Sequence, residues 1–158
     1  MRENIATQFS HSYEIDAPAS AVAAVLMSEE LANRRLAALR TKPSSFTPGA
    51  ERAILTVQVD AEQLPAQARR FLSSGLAASI VFTRSGNDVA AQLEAKLPVR
   101  ASADFQVAGE GPATVTVTGD VRVSIPFVGK KIEEKVAQYA AKVVERDAAL
   151  IREIIAQN

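Results

Sequence analysis

The sequence predicts an α+β domain, in which an antiparallel sheet is followed by one long amphipathic helix. Over residues 113–125 the odd positions are small or apolar and the even positions are polar, which is typical of a strand with one buried face. Residues 126–129 end the strand, and from Lys130 to Ala156 the period of the apolar residues is that of a helix. Such a helix is not stable alone in water, so we expect it to pack on the sheet.

The same alternation predicts the other strands of the sheet. Strands are predicted over residues 5–15, 52–60, 76–84, 89–97, 99–107 and 113–125. Turn signals at residues 85–88 and 109–112 make the connections short, which indicates an antiparallel meander. Residues 42–49 contain two prolines and predict an edge strand or a loop. Residues 62–75 interrupt the pattern and have room for two helical turns that begin near Pro65.

Two short helices are predicted between the first two strands. Asp16 can accept a free backbone N–H and Pro18 suits a first turn, so one helix is expected from here to Met27. Ser28 is the expected cap of the second helix, whose first turn is acidic. A basic cluster follows on this helix and just after it, which we interpret as a solvated face rather than a site for an anionic partner. The cluster is Arg34, Arg35, Arg40 and Lys42.

Composition excludes several classes of function. The chain has 158 residues, of which 47% are hydrophobic, and its 18 basic and 18 acidic residues cancel, so a nucleic-acid partner is disfavoured. The absence of cysteine excludes disulfides, thiolate nucleophiles and zinc–thiolate sites. No apolar run follows Met1 and none is long enough to span a membrane, so we expect a cytoplasmic protein without integral membrane association. We expect no metal or cofactor, and a monomer or weak homodimer.

The order of the elements resembles the helix-grip fold of the START-like (SRPBCC) superfamily, which includes polyketide cyclases, plant pathogenesis-related allergens and lipid-transfer domains. The stretch from Tyr13 to Val22 is similar to the superfamily's first strand and helix start. More closely, the chain is similar to a mostly actinobacterial domain-of-unknown-function family numbered 2505. The residues that carry this similarity are Leu64-Pro65-Ala66, Phe71-Leu72 and the corner from Val123 to Glu133. No catalytic motif comes with the resemblance.

The resemblance implies one helix-grip domain over residues 1–158, with a curved sheet wrapped around the last helix and a hydrophobic cavity between them. Related folds hold lipids, polyketides or aromatic hormones there. Alanine is abundant on the inward strand faces, so either the helices approach the sheet closely or a cavity is left. The expected cavity-lining residues are Phe9, His11, Tyr13, Phe82, Phe105, Tyr139, Val143 and Asp147.

The polar members of this set have two interpretations each. His11, the only histidine, is either a cavity acid or base or a partly solvated residue at a strand end. Tyr13 and Tyr139 either donate to a ligand carbonyl or belong to the core. Asp147 interrupts the apolar stripe of the last helix and needs a partner, for which His11 and Arg84 are candidates. The alternative places Asp147 at the margin of the stripe, beside a neighbouring arginine.

We therefore expect a carrier or sensor that binds a small hydrophobic molecule, with no catalytic residue assigned. One rival is a cyclase- or hydratase-like enzyme that acts on a polyketide-like substrate through His11 or Asp147. A second rival is a ligand-free module for protein interaction, in which the alanine-rich faces pack tightly. The rivals differ in whether polar groups or empty space lie between the sheet and the last helix.

Overall fold

One antiparallel sheet forms the frame of the molecule, in a computed structural model that describes residues 6–38, 43–63, 66–70, 73–95 and 99–157. Within these residues the strands are β1 Thr7–Ile15, β2 Pro43–Thr47, β3 Arg52–Val59, β4 Leu76–Ser85, β5 Asp88–Glu94, β6 Val99–Ala108 and β7 Ala113–Val123. The helices are α1 Ala19–Leu26, α2 Glu29–Ala38, α3 Ala66–Arg69 and α4 Gly129–Ala156. The strands lie in the order β1-β7-β6-β5-β4-β3-β2, so β1 and β2 are the edges.

The predicted α+β class and the predicted meander are confirmed. The uncertain segment at residues 42–49 contains the edge strand β2, where a proline costs no ladder bond. In the insertion, α3 forms one of the two predicted helical turns, a 3₁₀ turn at Ala61–Gln63 precedes it, and residues 71–72 of the predicted second turn lie outside the described residues. Residues 1–5, 39–42, 64–65, 71–72, 96–98 and 158 lie outside the described residues, and so do the predictions made for Arg40 and Lys42.

The two helix starts differ from each other. Ser28 caps α2 as predicted, because the N–H of Leu31 donates to its hydroxyl at 3.2 Å. The predicted cap at Asp16 is wrong, since Pro18 occupies the cap position of α1 and makes no side-chain cap. The N–H of Ala19 instead donates to the carbonyl oxygen of Gly109 at 2.9 Å, so a distant turn of the sheet takes the role of the cap.

Helix α4 lies mainly against β1 and β7 on the inward face of the curved sheet. Ile151 on α4 and Val115 on β7 are both fully buried there. The corner before the helix requires glycine at position 129, because a side-chain carbon there would run into the carbonyl oxygen of Val123. The N–H of Gly129 also donates to the carbonyl oxygen of Ile125 at 2.9 Å, which fixes the turn.

A buried carboxylate joins the start of α4 to the sheet. Glu133 is 5% exposed and accepts hydrogen bonds from the Thr7 hydroxyl and the Val123 N–H, both at 2.8 Å. The Lys130 ammonium lies 3.7 Å from the same carboxylate. Burial alone would raise the pKa of Glu133, but the hydrogen bonds and the lysine outweigh it, so this pKa lies below its usual value. Glu133 therefore holds the helix on β1 and β7 as an ionised group.

In the described part of the chain, none of the helices combines the length and the apolar character needed to cross a bilayer.

Candidate functional site

A row of small side chains crosses the middle of the inward face of the sheet. Strand pairing aligns Phe9, Gly119, Ala103, Ala91 and Phe82 from β1 to β4. The three central members have little or no side chain, and all three are partly exposed. The row is therefore a trough between two phenylalanine rings, floored by backbone and methyl groups.

The ring of Phe9 occupies the place of the missing side chain at Gly119. A side-chain carbon at position 119 would run into this ring, so the glycine is required for the ring's position. The ring also stacks with His11, with the ring centroids 6.3 Å apart. Phe9 thus closes the trough on the β1 side, where the sequence predicted that it would face inward.

The trough opens where β5 and β6 separate. Their pairing ends at Gln92 and Ser102, and beyond this point the strands leave a groove of about 500 Å³. The inward residues that line this groove are Leu93, Ala95, Val99 and Ala101, and the rest of its lining is polar: Gln92, Glu94, Arg100, Ser102 and Asp120. All four are partly exposed, so no helix fully covers this part of the sheet.

Helix α4 turns an exposed apolar side to this uncovered region. Val136, Tyr139 and Val143 are 43%, 46% and 39% exposed, and their spacing places them on one side of the helix. Ala141 and Ala148 lie on the opposite side, next to β1. Because α4 sits over β1 and β7, the side that carries Val136, Tyr139 and Val143 faces the central strands. We call the space between this side of α4 and the trough the cleft.

A buried ion pair lies where α2 approaches α4. Arg35 donates from Nε to Oδ1 of Asp147 at 2.9 Å and from Nη2 to Oδ2 at 2.6 Å, a two-pronged pairing that fits a guanidinium to a carboxylate. Asp147 is 7% exposed. The guanidinium also lies over the rings of Phe82 and Phe105, at 6.0 and 5.9 Å from their centroids.

Arg35 keeps its positive charge in this setting. Burial alone would lower the pKa of its guanidinium, but the charge and hydrogen bonds of Asp147 raise it more, so this pKa lies above its usual value. A fifth of the Arg35 side chain nevertheless remains accessible. One carboxylate and two rings therefore hold the guanidinium in place, and part of the Arg35 side chain remains accessible to solvent.

The two candidate partners of Asp147 are wrong; the alternative is right that its partner is an arginine, but Asp147 is buried rather than at the margin of the stripe. Arg84 folds back onto its own turn, where it donates to the carbonyl oxygen of Gly86 at 2.8 Å and to the Asn87 side chain at 3.3 Å. His11 lies in a different groove and makes no hydrogen bond to Asp147 within the described residues. The interpretation of Arg35 as part of a solvated face is also wrong. Its spacing of four from the fully buried Leu31 is the sequence signal that could have identified it.

Tyr13 brings an unsatisfied donor close to the ion pair. Its hydroxyl is buried and has no hydrogen-bond partner within the described part of the chain. Burial raises the pKa of the Tyr13 phenol well above its usual value, and the charge of Asp147 raises it further, against smaller opposing effects of Arg35 and Arg152. The phenol is therefore neutral, and its O–H can donate to any acceptor that enters.

A separate groove of about 340 Å³ runs between β1 and α4. His11 and Tyr13 line its sheet side, and Ala141, Val144, Glu145, Ala148 and Arg152 line its helix side. Arg152 closes one end by donating to the carbonyl oxygen of Glu14 at 2.7 Å. The groove places His11 apart from the Arg35–Asp147 pair.

The eight residues predicted from the sequence thus fall into three places. Phe82, Phe105 and Asp147 surround Arg35, and Tyr13 is electrostatically coupled to this group. Phe9 and His11 lie along β1, whereas Tyr139 and Val143 lie on the exposed side of α4. Sequence reasoning missed Arg35, and it missed Glu133, although Glu133, Ala140 and Asp147 are seven residues apart and share one face of the helix.

Comparison with solved structures identifies the fold. A START superfamily protein from Mycobacterium smegmatis matches with a TM-score of 0.61 at 14% identity, over 95% of this chain and 97% of that one. An aromatase/cyclase from a Streptomyces species matches with a TM-score of 0.56 at 13% identity, over 94% of this chain and 90% of that one. A norcoclaurine synthase from Thalictrum flavum, solved with dopamine and hydroxybenzaldehyde, matches with a TM-score of 0.61 at 16% identity, over 98% of this chain and 88% of that one.

Comparison with protein-family models identifies the family of the chain. No curated protein matches its sequence. The model of a protein family of unknown function, DUF2505, matches residues 10–155, which is most of the chain. The chain therefore belongs to the DUF2505 family, and its fold is the helix-grip fold of START-like proteins.

Proposed function

We propose that this protein binds a small apolar molecule in the cleft between the central strands and α4. The observation that carries the proposal is the pairing of two apolar surfaces that face each other and remain exposed. On the sheet these are the partly exposed residues Ala103 and Ala91, beside the ring of Phe9 that covers Gly119, and on α4 they are Val136, Tyr139 and Val143. Ligand sites are concave and mostly apolar, and exposed apolar surface of this kind marks an interaction site.

We infer that the buried hydroxyl of Tyr13 is the polar anchor of the ligand. Tyr13 lies on the β1 side of α4, four residues along β1 from Phe9, so an anchored ligand must reach from the cleft beneath the helix. A buried donor without an acceptor costs free energy, and an incoming acceptor atom removes that cost. The Arg35–Asp147 pair is already satisfied internally, so it positions the surrounding rings rather than demanding a charged ligand. The ligand class we propose is thus a neutral apolar molecule that carries one hydrogen-bond acceptor, such as a ketone.

The solved relatives support this class without establishing it. The norcoclaurine synthase of the same fold was solved with two small aromatic molecules, and an aromatase/cyclase shares the fold as well. At identities of 13–16% these likenesses extend to architecture alone. The proposal for this chain therefore rests on its own cleft.

Filling the trough should weaken the binding of an apolar probe. Ala103→Trp places a large ring in the middle of the row, and we expect the affinity for Nile red, measured by its fluorescence, to fall about tenfold or more. Gln106→Trp is the matched control, because Gln106 is exposed and lies three residues further along the same strand, on its outer face. The proposal fails if wild-type protein does not bind Nile red, or if both tryptophan variants bind it equally well.

Removing the Tyr13 hydroxyl should weaken the binding of a ketone but not the binding of the matching hydrocarbon. The probe pair is acetylnaphthalene and isopropenylnaphthalene, which differ in a carbonyl oxygen against a methylene group. In calorimetric titrations, Tyr13→Phe should lower the affinity for the ketone about tenfold and leave the affinity for the hydrocarbon unchanged. Without ligand, the variant should lose no stability, because the hydroxyl has no partner to lose. Equal losses for both probes, or none, would argue against Tyr13 as the anchor.

A further inference from the structure

The corner between β7 and α4 carries a phenylalanine whose side chain is fully exposed. Phe127 is fully exposed, at 103%, and its backbone has a φ of 72°. This left-handed conformation is strained for a bulky residue and is ordinarily taken by glycine or asparagine. Strain of this kind, combined with an aromatic ring in water, is retained where it serves an interaction.

The corner holds the ring away from the body of the protein. The hydrogen bond from the Gly129 N–H to the Ile125 carbonyl oxygen closes the turn on both sides of Phe127. Gly129 packs directly on the carbonyl oxygen of Val123, so the turn is seated on the end of β7. Phe127 is therefore presented at the tip of a fixed corner.

Basic side chains surround this tip. Lys130 and Lys131 are exposed in the first turn of α4, and Lys135 is exposed one turn later. The ionised Glu133 is buried and offsets the charge of Lys130, 3.7 Å away, and among the described residues Glu134 is the one exposed acid in residues 129–136. Arg100 and Arg122, which pair across β6 and β7, lie near the same end of the sheet. This end is positive although the whole chain has no formal net charge.

We propose that Phe127 and the adjacent lysines dock the protein on an anionic lipid surface. An aromatic ring beside lysines suits the boundary between headgroups and acyl chains, where the ring is buried and the ammonium groups meet lipid phosphates. The open part of the trough lies at the same end, because Ala101 and Val99 pair with Val121 and Val123, the last inward residues of β7. Docking would thus bring the mouth of the cleft to the bilayer, but it does not require that the cleft binds a ligand.

The test is co-sedimentation with vesicles of phosphatidylcholine alone and of phosphatidylcholine mixed with phosphatidylglycerol, at about 30% anionic lipid. Wild-type protein should partition to the mixed vesicles and much less to the neutral ones. Phe127→Gly should lower the partition coefficient about tenfold while raising the Tm, because glycine relieves the strained φ, so loss of folding is not at issue. Lys131→Glu should also weaken binding, whereas Lys142→Glu, at a lysine that is also exposed but lies further along α4, should not.

Several outcomes would overturn the proposal. These are equal binding to both vesicle types, no binding to either, or unchanged partition of Phe127→Gly. A dimer in sedimentation velocity that dissociates in Phe127→Gly, without vesicle binding, would instead assign the tip to a second copy of the chain. Because no apolar probe is present, this test can fail while the Nile red titration succeeds, and the reverse also holds.

Discussion

Arg35→Met should lower the free energy of unfolding by about 3–5 kcal/mol, because it leaves the Asp147 carboxylate buried without a partner. The carboxylate receives two hydrogen bonds from the guanidinium, and a thioether offers no donor in their place. The substitution also removes the charge that lies over the rings of Phe82 and Phe105. Asp147→Leu should lower the free energy of unfolding by a similar amount, since it leaves the buried guanidinium unpaired.

The double variant distinguishes a lost pair from lost packing. Arg35→Met combined with Asp147→Leu should recover most of the stability, because neither residue then leaves a buried charge. Urea denaturation of the four proteins measures the coupling free energy. Arg34→Met is the matched control, since Arg34 pairs with Glu30 and Glu153 at the surface and its loss should cost less than about 1 kcal/mol. Single variants no more costly than Arg34→Met would show that the pair contributes little.

Glu133→Gln should lower the free energy of unfolding at neutral pH by about 2 kcal/mol, because it removes the charge from two hydrogen bonds that hold α4 on β1 and β7. The effect should depend on pH in a defined direction. The pKa of Glu133 in the folded protein lies below the unfolded value near 4.5, so its stabilisation is complete above that value and is lost as the pH falls through the folded pKa.

Urea denaturation between neutral and acidic pH tests this direction. The stability difference between wild type and Glu133→Gln should be constant near neutral pH and should shrink below about pH 4.5. Glu134→Gln is the control, because Glu134 is the next residue and is exposed, so its stability difference should stay small throughout. A Glu133 difference that grows towards acid pH would contradict an ionised carboxylate at this junction.

The elements that the sequence predicted well are those in which burial repeats with a short local period. The odd residues of β7 and the apolar stripe of α4 repeat every two residues and every three to four, and both are visible without knowledge of the fold. The cap at Ser28 depends on Leu31, three positions away, and is equally local. The helix-grip resemblance followed from the order of these elements.

The parts that sequence reasoning missed depend on contacts between distant segments. Arg35 and Asp147 are 112 residues apart, and they meet only because α2 packs beside α4. The cap of α1 comes from Gly109 rather than from nearby Asp16, for the same reason. The place of Phe9 over Gly119 depends on the register of β1 on β7, which a pattern of alternation alone does not specify.

Native mass spectrometry of the purified protein tests most directly whether the cleft holds a small apolar molecule. Wild-type protein should carry a bound species that is released on denaturation, or should take up Nile red as an adduct of one molecule per chain. Gln106→Trp should keep the bound molecule and Ala103→Trp should lose it, because only the second ring fills the trough. Wild-type protein that is empty and remains empty with Nile red, or an adduct that persists in Ala103→Trp, would contradict the account.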